Sequence, residues 1–214
     1  MTRLSRLRLA AGASTALGLL LVGCTATTAP APSPSATEPP TSASPSSEPT
    51  PEDSVVTISV DGVSVDGATA AYTDADAVIQ ALTDALGADP TESPVDGPYG
   101  ETFTAYEWTG LTATLREPRI DVFATADSET ASYTTPEGIG LGSTRDEALT
   151  AGAQDEWDED GDGVADYLKI GMREVAGTTS LENPGQVGVE YLTLTLTDDV
   201  VTAIASGGND FSDL

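Results

Sequence analysis

The seven residues Tyr191-Leu192-Thr193-Leu194-Thr195-Leu196-Thr197 alternate without a break. Successive side chains of an extended strand point to opposite faces, so this run places its leucines on one face and its threonines on the other. A helix would spread the same residues around its circumference. The segment therefore commits the chain to a sheet with one face on a core. Asp198-Asp199 can turn the chain, and Val200 to Ala205 is expected to return as the partner strand.

Other stretches carry the same signal more weakly. Val56 to Val60 and Val63 to Val65 alternate around Asp61-Gly62, a pair that favours a two-residue hairpin turn. Strands are expected over Thr104 to Leu115, Ile120 to Ala126 and Tyr167 to Glu174, the first two divided by a turn at Arg116-Glu117-Pro118. Gly138 to Gly142 reads as a short strand or a loop, and Ala88 to Glu101 as a Gly/Pro/Asp-rich loop. Two helices interrupt the strands. Val78, Ile79, Leu82 and Leu86 share one helical face behind a cap at Thr73 or Asp74, with Gly87 and Pro90 to stop it. Ser143 and Thr144 precede Asp146 and Glu147 by three, the capping-box spacing, for a second helix through about Gly152.

The expected fold class is therefore α+β: antiparallel sheets with two short helices. The order strand, helix, loop, strand, strand occurs twice, which predicts tandem helix-plus-sheet units over 55–130 and 131–214. The segment Gly140 to Ala151 with the hairpin Tyr191 to Ala205 resembles the helix-plus-sheet modules of outer-membrane assembly lipoproteins and β-lactamase inhibitor proteins. That likeness carries no specific functional residue.

The N-terminus sets location. Arg3, Arg6 and Arg8 precede an apolar run from Leu9 to Val22, with no acidic residue before Cys24. Such a run suits a signal-peptide core and is short for a helix spanning a bilayer, which takes roughly 20 residues. Leu21-Val22-Gly23-Cys24 resembles the lipobox of bacterial lipoproteins. The resemblance implies a signal peptide over 1–23 and lipidation of Cys24, by diacylglycerol on sulfur and usually an N-linked acyl chain such as palmitate. Two acyl signals suffice for stable anchoring. Cys24 is the only cysteine, so no disulfide can form within one chain.

Residues 24–54 are rich in Thr, Ser, Ala and Pro and have no apolar periodicity, the signature of a disordered tether. Extended at polyproline spacing it would reach roughly 90 Å. The whole chain is similar to actinobacterial-type lipoproteins with a Thr/Pro linker and an acidic, lysine-poor domain. The implied location is the cell envelope, on the extracytoplasmic face of the cell membrane.

Of 35 acidic residues, all but Glu38, Glu48, Glu52 and Asp53 follow the tether, against Arg116, Arg119, Arg145, Lys169 and Arg173. A formal charge of −27 argues against nucleic acid and against anionic headgroups, and favours cations or basic partners. There is no histidine, which removes Ser-His and Cys-His machinery and the usual zinc ligands.

Asp158-Glu159-Asp160-Gly161-Asp162-Gly163-Val164-Ala165-Asp166 has the form D-x-D-x-D-G-x-x-D. Calcium takes six to eight hard oxygen ligands, which alternating Asp side chains around a tight turn can supply. The pattern resembles the loops of integrin-type FG-GAP repeats and thrombospondin type 3 repeats. By that resemblance Asp158, Asp160 and Asp162 are ligands, Val164 contributes its carbonyl, and Asp166 closes the site. The loop departs from the EF-hand, because Lys169 stands where that loop needs a bidentate Glu.

The function expected from these features is a membrane-anchored, extracytoplasmic binding or interaction module with one structural calcium, and not an enzyme. Its partner is the membrane, through the lipid, together with an envelope protein or ligand the sequence does not name. An envelope-assembly or inhibitor-like structural lipoprotein is the alternative, favoured if aromatics such as Tyr106 and Trp108 face out from a sheet. A carboxylate-based hydrolase ranks below both, since acid count in so acidic a domain is no evidence for a paired site.

Overall fold

The leucines of the alternating run are buried, as the period-two pattern requires: Leu192 and Leu194 are fully covered and Leu196 nearly so. Each such side chain contributes about 1.5–3 kcal/mol on leaving water. The computed structural model describes residues 54–212, so the signal peptide, Cys24 and the tether as far as 53 lie outside the described residues.

Twelve strands and two helices follow one another among the described residues. They are β1 (Ser54–Ile58), β2 (Gly62–Val65), β3 (Ala68–Ala71), α1 (Ala75–Leu86), β4 (Thr91–Asp96), β5 (Thr102–Trp108), β6 (Leu111–Arg116) and β7 (Arg119–Ala124). Then come β8 (Ala131–Thr134), α2 (Arg145–Thr150), β9 (Gln154–Trp157), β10 (Tyr167–Glu174), β11 (Val189–Thr197) and β12 (Val200–Asn209). One sheet has the order β3-β2-β1-β8 and the other β4-β5-β6-β7-β12-β11-β10-β9.

The α+β expectation is overturned. Strands hold 47% of the described residues and helices 11%, in a four-stranded and an eight-stranded sheet, a β-sandwich-like class. Nor are the sheets purely antiparallel, because β8 runs parallel to β1 with Val56 opposite Tyr133. The difference lies in four unexpected strands, β3, β4, β8 and β9, which are the outer strands of the two sheets. Of these, β3, β4 and β9 have no alternating pattern, and β8 alternates over only the four residues Ala131-Ser132-Tyr133-Thr134. An edge strand is paired on one side only and is under less pressure to carry a buried face. β4 lies within the expected loop 88–101 and includes Pro94, which an edge strand tolerates because its free side needs no ladder donor.

Two turns also differ from expectation. Thr104 to Leu115 is two strands, with Trp108 opposite Leu111 across Thr109-Gly110. In the first hairpin Ile58 pairs with Val63 and Ser59 N–H donates to the Gly62 carbonyl at 3.0 Å, so Val60-Asp61 is the turn. Gly62 belongs to β2, where a Cβ would sit 2.0 Å from the Ala70 carbonyl oxygen of β3.

The helices form where expected. Asp74 rather than Thr73 caps α1, accepting from Ala77 N–H at 3.2 Å, and Val78, Leu82, Ala85 and Leu86 are buried. Thr144 and Glu147 make the capping box of α2. A single hydrophobic cluster takes Val56, Ile58 and Val63 from the smaller sheet, Val78 and Leu82 from α1, and Ile120, Leu168, Leu192 and Ile204 from the larger. The larger sheet draws β4–β7 from 55–130 and β9–β12 from 131–214. The two sets join where Ile204 pairs with Ala124 and Ala205 with Phe123.

Candidate metal centre

The acidic loop connects β9 to β10, and its two ends are held by pairing: Trp157 lies opposite Tyr167. Between them the backbone folds around its own carboxylates. Asp158 accepts Gly161 N–H at 2.7 Å on one oxygen and Gly163 N–H at 2.8 Å on the other. Asp160 accepts from Asp162 N–H at 3.0 Å, and Asp166 from Glu159 N–H at 2.7 Å. These bonds orient the side chains without exhausting them, since an ionised carboxylate offers about four acceptor positions.

Asp158, Asp160 and Asp166 converge, with one oxygen from each lying within 4.8 Å of the others, a group that can hold a metal ion. Ligands on opposite sides of a calcium at roughly 2.4 Å are separated by about 4.8 Å, so all three oxygens can touch one ion. Asp162 is not part of this group: its Oδ1 accepts Val164 N–H at 2.8 Å. Asp162 and Val164 instead line an adjoining cavity of about 450 Å³ together with Asp160 and Asp166. Cys24, the remaining candidate, lies outside the described residues.

Comparison of the chain with protein-family models, curated proteins and solved structures returns no match. The chemistry of the loop therefore stands on its own geometry.

One residue the sequence reading did not single out shares the cavity. Arg145, the first residue of α2, lines it, and its guanidinium donates to the Ala165 carbonyl, next to Asp166. The same group pairs with Asp199 at 2.6 Å and Asp155 at 3.5 Å. A fixed cation on the cavity wall offsets part of the repulsion among neighbouring carboxylates. The sequence offered a faint sign of it, a base directly after the capping Thr144 in a chain with few bases.

The loop is also tied to the strands that follow it. Leu196 N–H donates to the Asp166 carbonyl at 2.8 Å, which fixes the last carboxylate against β11. Tyr167 donates its hydroxyl to Glu159 at 3.0 Å, and this bond pushes the phenol above its usual range. An ion held by Asp158, Asp160 and Asp166 would thus connect the end of β9 to the start of β10, and through Asp166 to β11.

Proposed function

We propose that the chain is a lipoprotein anchored through Cys24 on the extracytoplasmic face of the cell membrane. Its β domain acts as a binding or interaction module and holds one structural calcium. The observation that carries the calcium is the convergence of Asp158, Asp160 and Asp166 on a loop whose backbone already orients them. All-oxygen ligands suit calcium over the softer transition metals, and magnesium demands tighter octahedral geometry and releases water reluctantly. The anchor is supported by Leu21-Val22-Gly23-Cys24 after its basic and apolar segments, and the reach of the domain by the Pro-rich tether.

A ligand that binds only the native state adds about 2.7 kcal/mol at one hundred times its Kd. For a domain of this size that raises the melting temperature by roughly 5–10 °C. Millimolar calcium should produce that rise, EDTA should reverse it, and magnesium should do less. Trp157, exposed beside Asp158, should sensitise terbium luminescence. Melting indifferent to calcium, with no terbium signal, would reduce the loop to a solvated turn. The anchor has its own test: the wild type should partition with membranes carrying acyl mass at Cys24, and Cys24→Ala should not. A wild type recovered water-soluble without acyl mass would overturn the lipoprotein reading.

A further inference from the structure

Tyr106 and Trp108 stand two residues apart on β5 and so share one face of the strand, roughly 7 Å apart. Each lines a separate cavity. Trp108 and Leu86 form part of a cavity of about 650 Å³ whose other lining includes Asp89, Glu107 and Glu129. Tyr106 lines a second, of about 480 Å³, with Asp76, Asp89 and Glu92. Asp89 belongs to both, so the cavities adjoin along the face of β5.

The charge around this double groove is uncompensated. No basic residue lines either cavity, and none of the five carboxylates has an ion-pair partner among the described residues. Arg119, Arg145, Lys169 and Arg173 are paired elsewhere, and Arg116 lies over Phe103. Glu107, between Tyr106 and Trp108, directs its side chain to the other face of β5, where it accepts the Ser93 hydroxyl, and it borders the cavity only at its edge. The Trp108 N–H is engaged by the Ala88 carbonyl at 2.9 Å, and both aromatics are half-buried against the hydrophobic core, so each offers a cavity only the part of its ring that lines it. An aromatic ring beside carboxylates with no resident cation is the chemistry that receives an ammonium or guanidinium on an aliphatic stem.

We propose that this double groove binds an extended basic peptide segment of a partner protein, with Lys or Arg at alternate positions. The repeat supports the peptide over a small amine. Side chains at i and i+2 of an extended chain share one face at the same spacing as Tyr106 and Trp108, so one cation can enter each cavity. Asp89, between them, serves both. This names a class of partner for the interaction module proposed above, and it does not require the calcium loop.

The test is calorimetric titration of the full chain, in calcium and about 0.15 M salt where long-range attraction is screened, with blocked Lys-Ala-Lys-Ala-Lys. The double variant Asp89→Asn/Glu129→Gln should weaken the Kd at least tenfold. Glu137→Gln/Glu174→Gln, which removes two exposed charges elsewhere, should change it less than twofold. Equal losses in the two double variants would show attraction to the overall acidic field and overturn the site. In a Trp157→Phe background, Trp108 emission should shift on peptide addition; an unchanged spectrum at saturation would place the peptide elsewhere. n-Butylammonium binding as tightly as the peptide would overturn the two-cavity ligand. Asp160→Asn should leave the peptide Kd within twofold while abolishing the calcium effect on melting, so the two readings fail separately. A tenfold loss of peptide affinity in that variant would overturn the assignment to the groove.

Discussion

Arg145 Nε donates to Asp199 Oδ1 at 2.6 Å, so the first residue of α2 is bound to the turn between β11 and β12. The backbone repeats the connection, since Arg145 N–H donates to the Asp199 carbonyl at 2.8 Å. The Arg145 side chain is only 15% exposed and reaches Ala165 as well. A planar fork makes these contacts together, whereas an ammonium is a point charge. Arg145→Lys should therefore lower stability by about 2 kcal/mol, the scale of a lost charged hydrogen bond. Arg145→Met should cost at least as much. Urea midpoints compare them, and a lysine variant as stable as wild type would show that charge alone suffices.

Three of the four aspartates of the loop converge and the fourth does not. Asp160→Asn should abolish most of the calcium-induced rise in melting temperature, because Asp160 belongs to the converging group. Asp162→Asn should keep at least half of it, since that carboxylate stands outside the group and accepts Val164 N–H. Scanning calorimetry with and without calcium distinguishes them. Equal losses would mean that the bound loop recruits Asp162.

Gly110 turns the chain between β5 and β6 at φ +76°, and a Cβ there would lie 2.1 Å from the Ala126 carbonyl oxygen. That oxygen belongs to backbone, so it cannot swing aside as a side chain would. Gly110→Ala combines overpacking with a left-handed conformation that Ala resists, and should cost more than about 2 kcal/mol. A denaturation midpoint close to wild type would show that the turn relaxes at little cost.

Asp210 governs part of the acid limb. Burial raises its pKa, but the Ser180 hydroxyl, the Val189 N–H and Lys169 more than offset this and hold the carboxyl below its usual range. The folded state then binds fewer protons than the unfolded chain at low pH. The stabilisation is present above the unfolded pKa near 4 and is lost as pH falls through the folded value. Asp210→Asn should lower stability at pH 7 and flatten the dependence between about pH 5 and 2. An unchanged slope would assign the acid transition to other carboxylates.

Features that act within a few residues were readable from the chain. The capping box Thr144–Glu147 appears as spaced, α1 begins and ends at Asp74 and Gly87, and β10 spans Tyr167–Glu174 as expected. The Asp198-Asp199 turn forms with both residues at positive φ, the geometry a two-residue hairpin prefers. The spacing of Asp158, Asp160 and Asp166 marked the residues that converge. Asp162 matched the same spacing yet stands outside the converging group, and its Oδ1 accepts Val164 N–H.

The sequence by itself determined the Asp198-Asp199 turn, the caps, the buried faces of the inner strands and a loop dense in ligand oxygens. Each follows from dihedral preference, side-chain period or charge within a short window. Tertiary structure decided the fold class, because β3, β4 and β9 carry no alternating pattern and are strands by virtue of the neighbours they join, while β8 alternates over only four residues. Ser54–Ile58 lies beside Ala131–Thr134, and Ile204 beside Ala124, through hydrogen bonds between residues far apart in the chain. It also brought Arg145 to the acidic loop and aligned two cavities over β5. An edge strand such as β3, β4 or β9 takes its conformation from a backbone ladder on one side, so its own window need not carry an alternating pattern.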